Sequence, residues 1–544
     1  MNKLFKDNEN RICIGIFVIT IMVAIIPLIS RYCINGHDIE YHLLRIESLK
    51  EGIMIGKPFL KVNTLFFGDA GYASSMFYGD LFLYIPALMR VLGISIGTSY
   101  HVFVAIIFIL CYGSTFYCTY RITSSKYAAT LAAVLLTLCP YHMDDMLVRA
   151  ACGEYTAFIF IPFIVYGVYN ILYEEMNSPW VFGIGFAGLI LTHPATLVLN
   201  VILCAVVFLI YIKRFIKAPK LIIRLLVTSV ITVLVTAFMW VPMIEQMLTS
   251  KFYVSTDKVD MLDAALNMSE IFTQVFPGVG ILLILLAVPR VFISAKDNEI
   301  LRFTDVLVVG GIVYAVCASN IVPWNRLSHF LGFVQFPWRL FTMTSALLAI
   351  ADAVIIMIFI KEKSLNRDAV VMVVLIVSIA LSLEHNAQNI EGYYDYGNDY
   401  YSYKPYTANV IGAEWLPVTV TDRDNLVTIS EYAYGDDGST IDFTRQRAEI
   451  DADIEKDMQY VDVPFIYYKG YFAEITDGNI AHKLDVTSEG IDGMCRVYLN
   501  GEKGKLNVRY RGTTAQNVSY VISIISIVGI AIFFVCRKRN RSKG

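Results

Sequence analysis

The chain has 544 residues, of which 56% are hydrophobic and only 17% charged, and its mean hydropathy is +0.57. Soluble domains run about 45–50% apolar and roughly 25% charged, so this excess requires the bilayer as part of the solvent and excludes a soluble enzyme. The formal net charge of −3 leaves no basic surplus to neutralise a phosphate backbone, which excludes nucleic acid as the expected partner.

Taken in chain order, apolar runs long enough to cross about 30 Å of hydrocarbon lie near 11–31, 99–120, 126–141, 154–173, 180–192, 195–212, 221–243, 271–293, 303–319, 339–360, 368–384 and 518–536. This predicts an all-α polytopic membrane protein of about twelve spans, the pair split at Thr192-His193-Pro194 being one broken helix if not two. Basic clusters set the orientation: Lys3/Lys6/Arg11, Arg121/Lys126, Lys213/Arg214/Lys217/Lys220, Arg290/Lys296/Arg302, Lys361/Lys363/Arg367 and the tail Arg537-Lys538-Arg539-Asn540-Arg541 all fall on one side. The positive-inside rule makes that side cytoplasmic, with both termini there. The first run lacks a small-residue cleavage site and is expected to stay as a helix. Residues 76–97, carrying Asp80, Pro86 and Arg90, break the parity if they span, and are expected to lie half-buried at the outer face. Residues 32–98, 142–153, 244–270, 320–338 and 385–517 then lie outside. The expected organisation is a multi-span domain over 1–384 with outer juxtamembrane helices at 38–98, an extracytoplasmic all-β domain over 385–517, and a last span with a basic tail over 518–544.

The β reading of 385–517 rests on turn signals at Gly435-Asp436-Asp437-Gly438 and Asn500-Gly501-Glu502-Lys503-Gly504 and on alternating runs such as Arg496-Val497-Tyr498-Leu499 and Leu506-Asn507-Val508-Arg509-Tyr510. These predict hairpins of a sandwich. Its Tyr-rich start (Tyr393, Tyr394, Tyr396, Tyr400, Tyr401, Tyr403, Tyr406) suits a carbohydrate-contacting or a membrane-interface surface. Ten cysteines, scattered singly with no CxxC pair, form neither a zinc site nor a disulfide framework.

Polar chemistry concentrates in four outer places. In His37-Asp38-Ile39-Glu40-Tyr41-His42-Leu43-Leu44-Arg45, a helix places Asp38, His42 and Arg45 on one face and Glu40 on the other. A second cluster is Tyr141-His142-Met143-Asp144-Asp145-Met146-Leu147-Val148-Arg149, followed by Glu154 at a span entrance, where an ionisable group is expensive unless it pairs or works. His193 stands similarly before Pro194. Val334-Gln335-Phe336-Pro337-Trp338-Arg339 puts an aromatic and a cation at the outer interface, for headgroups or for phosphate. Two matches fail their context: Gly183-Ile184-Gly185-Phe186-Ala187-Gly188 fits GxGxxG inside an apolar helix, where close helix packing is expected. Gly93-Ile94-Ser95-Ile96-Gly97 fits GxSxG without a strand before it and is expected to be a turn.

An acidic residue just after the first span, outer juxtamembrane helices and acidic residues in the next outer loop together resemble the GT-C superfamily of polytopic glycosyltransferases over roughly residues 11–213. Gln335-Phe336-Pro337-Trp338-Arg339 and the run Val463-Pro464-Phe465-Ile466-Tyr467-Tyr468-Lys469-Gly470-Tyr471 leading to Asp477-Gly478 look like its bacterial YfhO-type branch. The WWDxG motif of oligosaccharyltransferases is absent, which argues against transfer of a whole glycan to asparagine. The resemblance implies inverting transfer of a sugar from a polyprenyl-phosphate donor to an envelope polymer or glycolipid acceptor on the outer face, among membrane lipids and without a nucleotide-binding fold. Asp38 matches the family's first acidic residue, hence the general base, and Asp144 or Asp145 its second. On physical grounds Arg45, Arg149 and Arg339 are candidates to hold the lipid phosphate, with Glu154 and His193 beside the substrate. Glu40 and His42 are candidate metal partners of Asp38, and a divalent metal stays open. A transporter or lipid flippase is the alternative, on Asp352 within a span and the break at Thr192-His193-Pro194. A non-catalytic scaffold displaying the β domain is the third reading.

Overall fold

The computed structural model describes residues 2–256, 260–294, 298–397, 413–422, 426, 431–446 and 448–541. Lys296 and the tyrosines at 400, 401, 403 and 406 lie outside the described residues. Among these residues seven helices are long and apolar enough to cross a membrane: Asn8–Ile29, Ile96–Thr123, Cys152–Tyr173, Glu299–Cys317, Pro337–Glu362, Arg367–Asn389 and Thr514–Cys536. Two broken pairs, Lys126–Thr137 with Pro140–Val148 and Lys220–Val235 with Ala237–Thr249, raise the number to nine if each is one span.

The remaining apolar runs end as shorter helices. Pro179–Ile190 and Pro194–Ile210 have 12 and 17 residues, below the roughly 20 that a span needs. Pro194 opens the second, where its missing N–H and fixed φ are tolerated. Of 271–293 only the part from Leu282 is a regular apolar helix, because Pro277, Gly278 and the left-handed Gly280 interrupt it.

The chain forms two compact units, residues 1–39, 100–233 and 259–395 in the first, and 40–99, 234–258 and 396–544 in the second. In the first unit most spans pack around the Phe341–Glu362 helix, which is buried along most of its length. There two short strands, β1 (Cys33–Ile34) and β2 (Tyr393–Tyr394), pair antiparallel and tie the segment after the first span to the one after Arg367–Asn389. The glycines of the GxGxxG match do the packing expected of them. A Cβ on Gly185 would stand 2.5 Å from Ile164 Cγ1 and 3.0 Å from the Ile164 backbone nitrogen, so the 179–190 helix lies directly against Ile161–Tyr173. All ten cysteines are free thiols.

In the second unit nine antiparallel strands form one continuous sheet, β3 (Ala433–Gly435), β4 (Thr440–Ile441), β5 (Phe443–Arg445), β6 (Glu449–Ile454), β7 (Tyr460–Ile466), β8 (Tyr471–Asp477), β9 (Ile480–Thr487), β10 (Met494–Tyr498) and β11 (Gly504–Tyr510). Their order is β4-β3-β7-β10-β9-β8-β11-β6-β5. Alternate residues from both halves, among them Ile450, Val461, Val463, Ile475, Val497 and Val508, bury into one core, so the sheet folds over on itself and replaces the separate sheets of a sandwich. The turn at 435–438 joins neighbours β3 and β4 as a hairpin. The turn at 500–504 does not: β10 pairs with β7 and β9, β11 with β6 and β8. The alternation in each strand was legible, but alternation specifies a buried face and leaves the neighbour open.

Residues 40–99, expected with the membrane part, share a core with the sheet instead. Phe66, Phe67, Tyr72 and Phe77 pack with Phe252, Leu416, Tyr468 and Met494, and the Phe77 ring stacks on Trp415 at 4.0 Å. In 76–97 the helix is only Tyr84–Val91, and both its charged groups are paired, Asp80 with Arg45 at 2.6 Å and the buried Arg90 with Glu47. Conversely 385–395 belong to the first unit, because the Arg367–Asn389 helix runs past the expected boundary.

Gly185→Val should cost about 1–3 kcal/mol by overpacking against Ile164, read as a lower melting temperature in detergent. Gly113→Ala, where nothing stands within 4 Å of the added carbon, should not lower it.

Candidate active site

The site grows from one irregular turn. After the Lys126–Thr137 helix ends, Pro140 opens a short helix that loosens at Asp144–Val148 into a π turn, with Arg149 N–H donating to Asp144 O, five residues back, at 2.8 Å. Such wide turns recur at functional sites because they redirect side chains that a regular helix would space evenly. Here Tyr141, His142, Asp144 and Asp145 are all fully buried. Ala150 then takes a left-handed φ of +55°, and the chain turns directly into Cys152–Ala157, which carries Glu154.

Arg149 is the hub of the cluster. Its guanidinium ion-pairs with Asp145 and, at 2.8 Å, with Glu154, and it lies over the Trp338 ring at 4.4 Å. The other Glu154 oxygen accepts from Tyr141 and from Thr342, each at 2.7 Å. Arg339 Nε approaches Glu154 at 3.4 Å, while its Nη1 donates to the Gln335 side chain and to Val334 O. The whole Gln335-Phe336-Pro337-Trp338-Arg339 stretch therefore serves the cluster. Phe336 stacks on Trp338 at 4.9 Å and under the Arg339 guanidinium at 5.2 Å. Gln335 holds Arg339 from a left-handed backbone, φ +61°.

Asp38 enters this cluster through its backbone. His37 N–H donates to Val148 O at 3.0 Å and Asp38 N–H to Arg149 O at 2.9 Å. The approach needs Gly36, where a Cβ would meet Ala150 Cβ at 2.9 Å. The Asp38 carboxylate is half-buried, and among the described residues no hydrogen-bond donor reaches it. Burial pushes its carboxyl above the usual carboxylate range; Arg149, Arg339 and His37 oppose that, and Glu154 adds to it. His193 completes this side, beside Gly153, with Nδ1 2.7 Å from Thr196 Oγ1. Desolvation lowers its pKa to about 4 against the pull of Glu154, so it is neutral at pH 7.

Of the expected residues, Asp38, Asp144, Asp145, Arg149, Glu154, His193 and Arg339 come together in the first unit. Glu40, His42 and Arg45 belong to the second unit, and the common helical face does not form because the helix begins at Ile39, one residue after Asp38. Arg45 is committed to Asp80, to Gly79 O at 3.0 Å and to His42 Nδ1 at 3.2 Å, between the Tyr41 and Tyr78 rings. Burial first, then Arg45, holds His42 well below its ordinary pKa. Glu40 stands in the first turn of that helix. Among the described residues no three His, Cys, Asp or Glu side chains are grouped to hold a metal ion.

Sequence reasoning missed His385, whose Nε2 lies 2.8 Å from Asp144 Oδ1, and passed over Gln335 and Thr342 as partners. The polar end of the Arg367–Asn389 helix was the available signal, since His385 and Asn389 stand four residues apart on one face.

No family model matches the chain, and no curated protein matches it. Among solved structures it is similar to a variant of the mycobacterial arabinofuranosyltransferase AftD, at 12% identity and TM-score 0.42 over 69% of this chain and 27% of that one. It is likewise similar to AftD itself, at 13% identity and TM-score 0.39 over 70% and 27%. The third is the oligosaccharyltransferase AglB of Archaeoglobus fulgidus, in complex with an inhibitory peptide and a dolichol-phosphate, at 13% identity and TM-score 0.38 over 70% and 56%. The chain thus spans 27% of the length of AftD and 56% of that of AglB.

Removing the hub leaves Asp145 and Glu154 buried without a counter-charge. Arg149→Met should destabilise by about 3–5 kcal/mol, visible as a large drop in melting temperature. Arg149→Lys keeps the charge but not the forked geometry, and should fall between.

Proposed function

We propose that the chain is an inverting glycosyltransferase of the GT-C kind that takes a sugar from a polyprenyl-phosphate donor and passes it to an envelope polymer or glycolipid acceptor at the outer face of the cell membrane. The observation that carries this reading is the half-buried Asp38 carboxylate, pinned by its backbone beside Arg149 and Arg339 and reached by no hydrogen-bond donor among the described residues. A base with a raised pKa next to fixed cations is the pair that displacement from a phosphate requires.

In that reaction the acceptor oxygen attacks the anomeric carbon while its proton passes to Asp38. The carbon–oxygen bond to the phosphate breaks, its electron pair stays on the phosphate oxygen, and the anomeric configuration inverts. Arg339 takes the leaving phosphate. Its side chain is 15% exposed against 4% for Arg149, whose guanidinium is already committed to two carboxylates. Asp144 and Asp145 orient the acceptor, each keeping one buried oxygen without a hydrogen-bond partner among the described residues. The basic clusters at both ends assign both termini to the cytoplasmic side, which requires an even number of crossings.

The transporter reading has one observation in its favour. Asp352, inside the Pro337–Glu362 span, is fully buried and neither carboxylate oxygen has a hydrogen-bond partner among the described residues. It predicts that Asp352→Asn stops lipid or solute movement.

The test uses membranes containing equal amounts of wild type or Asp38→Asn and radiolabelled polyprenyl-phosphate sugars. Asp38→Asn should lose about 100-fold or more of the transfer rate, the scale of one general base. Because burial raises the Asp38 pKa, the rate should rise with pH as Asp38 is deprotonated, with a midpoint above the ordinary carboxylate range. Equal transfer by both proteins removes Asp38 from the chemistry.

A further inference from the structure

In the second unit the Tyr84–Val91 helix, with the short turn Leu81–Leu83 before it, is buried on one side only. Leu83, Pro86, Ala87 and Arg90 face the interior, where Arg90 is held by Glu47. Leu81, Leu88 and Leu92 face outward, Leu88 at 52% exposure and Leu92 at 79%, with Tyr84 and Ile85 half-buried between them. Their spacing is that of one helical face. The only charged residue between 81 and 92 is the buried Arg90, so this outer face carries no charge at all.

A second segment extends the face. Beyond the Ile39–Met54 helix the chain passes alongside it: the Tyr84 hydroxyl donates to Pro58 O, and the Phe59 ring stands 6.4 Å from the Tyr84 ring. Phe59 is itself 75% exposed. Large apolar side chains scattered singly over a surface need no explanation, but a contiguous set drawn from two segments marks a contact.

The neighbour of this set identifies the contact. Tyr520 lies within electrostatic reach of Tyr84, and it stands in the second turn of the last span, Thr514–Cys536, where Gln516 Nε2 donates to its hydroxyl at 3.3 Å. From that level the span turns Val518, Val521, Ile524 and Ile525 outward, each at least half exposed, and on a membrane-crossing helix such residues meet lipid tails. The uncharged face therefore begins where the lipid-facing surface of the span begins. Tyrosines suit that depth, because the ring is apolar and the hydroxyl stays wet.

We propose that the 81–92 face and the Phe59 loop form one lipid-docking surface that seats the second unit on the outer leaflet, with Phe59, Leu81, Leu88 and Leu92 among the acyl chains just below the headgroups and Tyr84 beside Tyr520 at headgroup level. The partner is the bilayer itself. Because the face is uncharged, docking draws on buried apolar area and needs no anionic lipid. The proposal stands whether or not the chain transfers sugar.

The test measures depth in the full-length protein reconstituted in nanodiscs of phosphatidylcholine alone. Cys317→Ser and Cys536→Ser leave only buried thiols, and a nitroxide is then attached at Phe59→Cys, Leu88→Cys, Asp453→Cys or Val528→Cys. Asp453, exposed on β6, is the water reference, and Val528, exposed on the last span, is the lipid reference. The ratio of collisions with molecular oxygen to collisions with a polar nickel chelate rises as a nitroxide enters hydrocarbon. At Phe59→Cys and Leu88→Cys this ratio should exceed that at Asp453→Cys severalfold and approach that at Val528→Cys. Ratios equal to that at Asp453→Cys put the face in water and overturn the proposal. Exclusion of both reagents assigns the face to protein, to a second copy where labels on two molecules couple, and overturns it equally.

Discussion

Burying Asp145 and Glu154 around a single guanidinium is the constraint on which the first unit is built. An isolated charge taken out of water costs several kcal/mol, and only close pairing with further hydrogen bonds offsets it. Arg149 therefore has to reach both carboxylates, and the local backbone is bent to allow it: a π turn at Asp144–Val148, a left-handed Ala150, and glycines at 36 and 153 where neighbouring segments close in. Trp338 and Thr342 complete the shell from the Pro337–Glu362 helix, and Tyr141 from the turn just before Asp144. The Gln335-Phe336-Pro337-Trp338-Arg339 stretch is thus the wall of a charge cluster, more than a headgroup anchor.

The same arrangement separates structural from reactive charge. Glu154 has both oxygens satisfied and Arg149 is paired twice, so these two groups hold the cluster together. Asp38 and Arg339 differ, one with a carboxylate that no donor reaches among the described residues and the other with the more exposed guanidinium. A group whose charge is already compensated has little to gain from a ligand. In the proposed reaction the chemistry is therefore given to these two, which are held in place through backbone bonds and the Gln335 side chain. In the second unit Arg45 shows the opposite case, a buried cation closed off by Asp80 and His42.

Much of the site was legible because ionisable residues at the edge of apolar runs are costly and so conspicuous. Asp144, Asp145, Arg149, Glu154 and Arg339 were found that way, and the structure brings them together. The one-face reading of Asp38, His42 and Arg45 failed on a boundary of one residue, since periodicity cannot say whether Asp38 stands inside the helix or before it. His385 stayed hidden because its partner lies 241 positions away, and because the expected domain boundary cut the helix just before it. The sheet followed the same logic: β10 and β11 were visible as strands, while their placement in different halves of the sheet depends on long-range pairing. Of the twelve apolar runs, seven to nine are long enough to span as helices among the described residues and the others are shorter, because hydropathy registers apolar length and not the prolines and glycines that end a helix.

A single displacement that cleaves lipid-phosphate-linked sugar and hands it on is tested most directly by following both halves of the donor. Purified protein in proteoliposomes, given polyprenyl-phosphate sugars labelled separately in lipid and sugar, should release polyprenyl phosphate in step with the appearance of sugar on the acceptor in inverted anomeric configuration. Movement of the doubly labelled lipid between leaflets with its glycosidic bond intact would contradict the account.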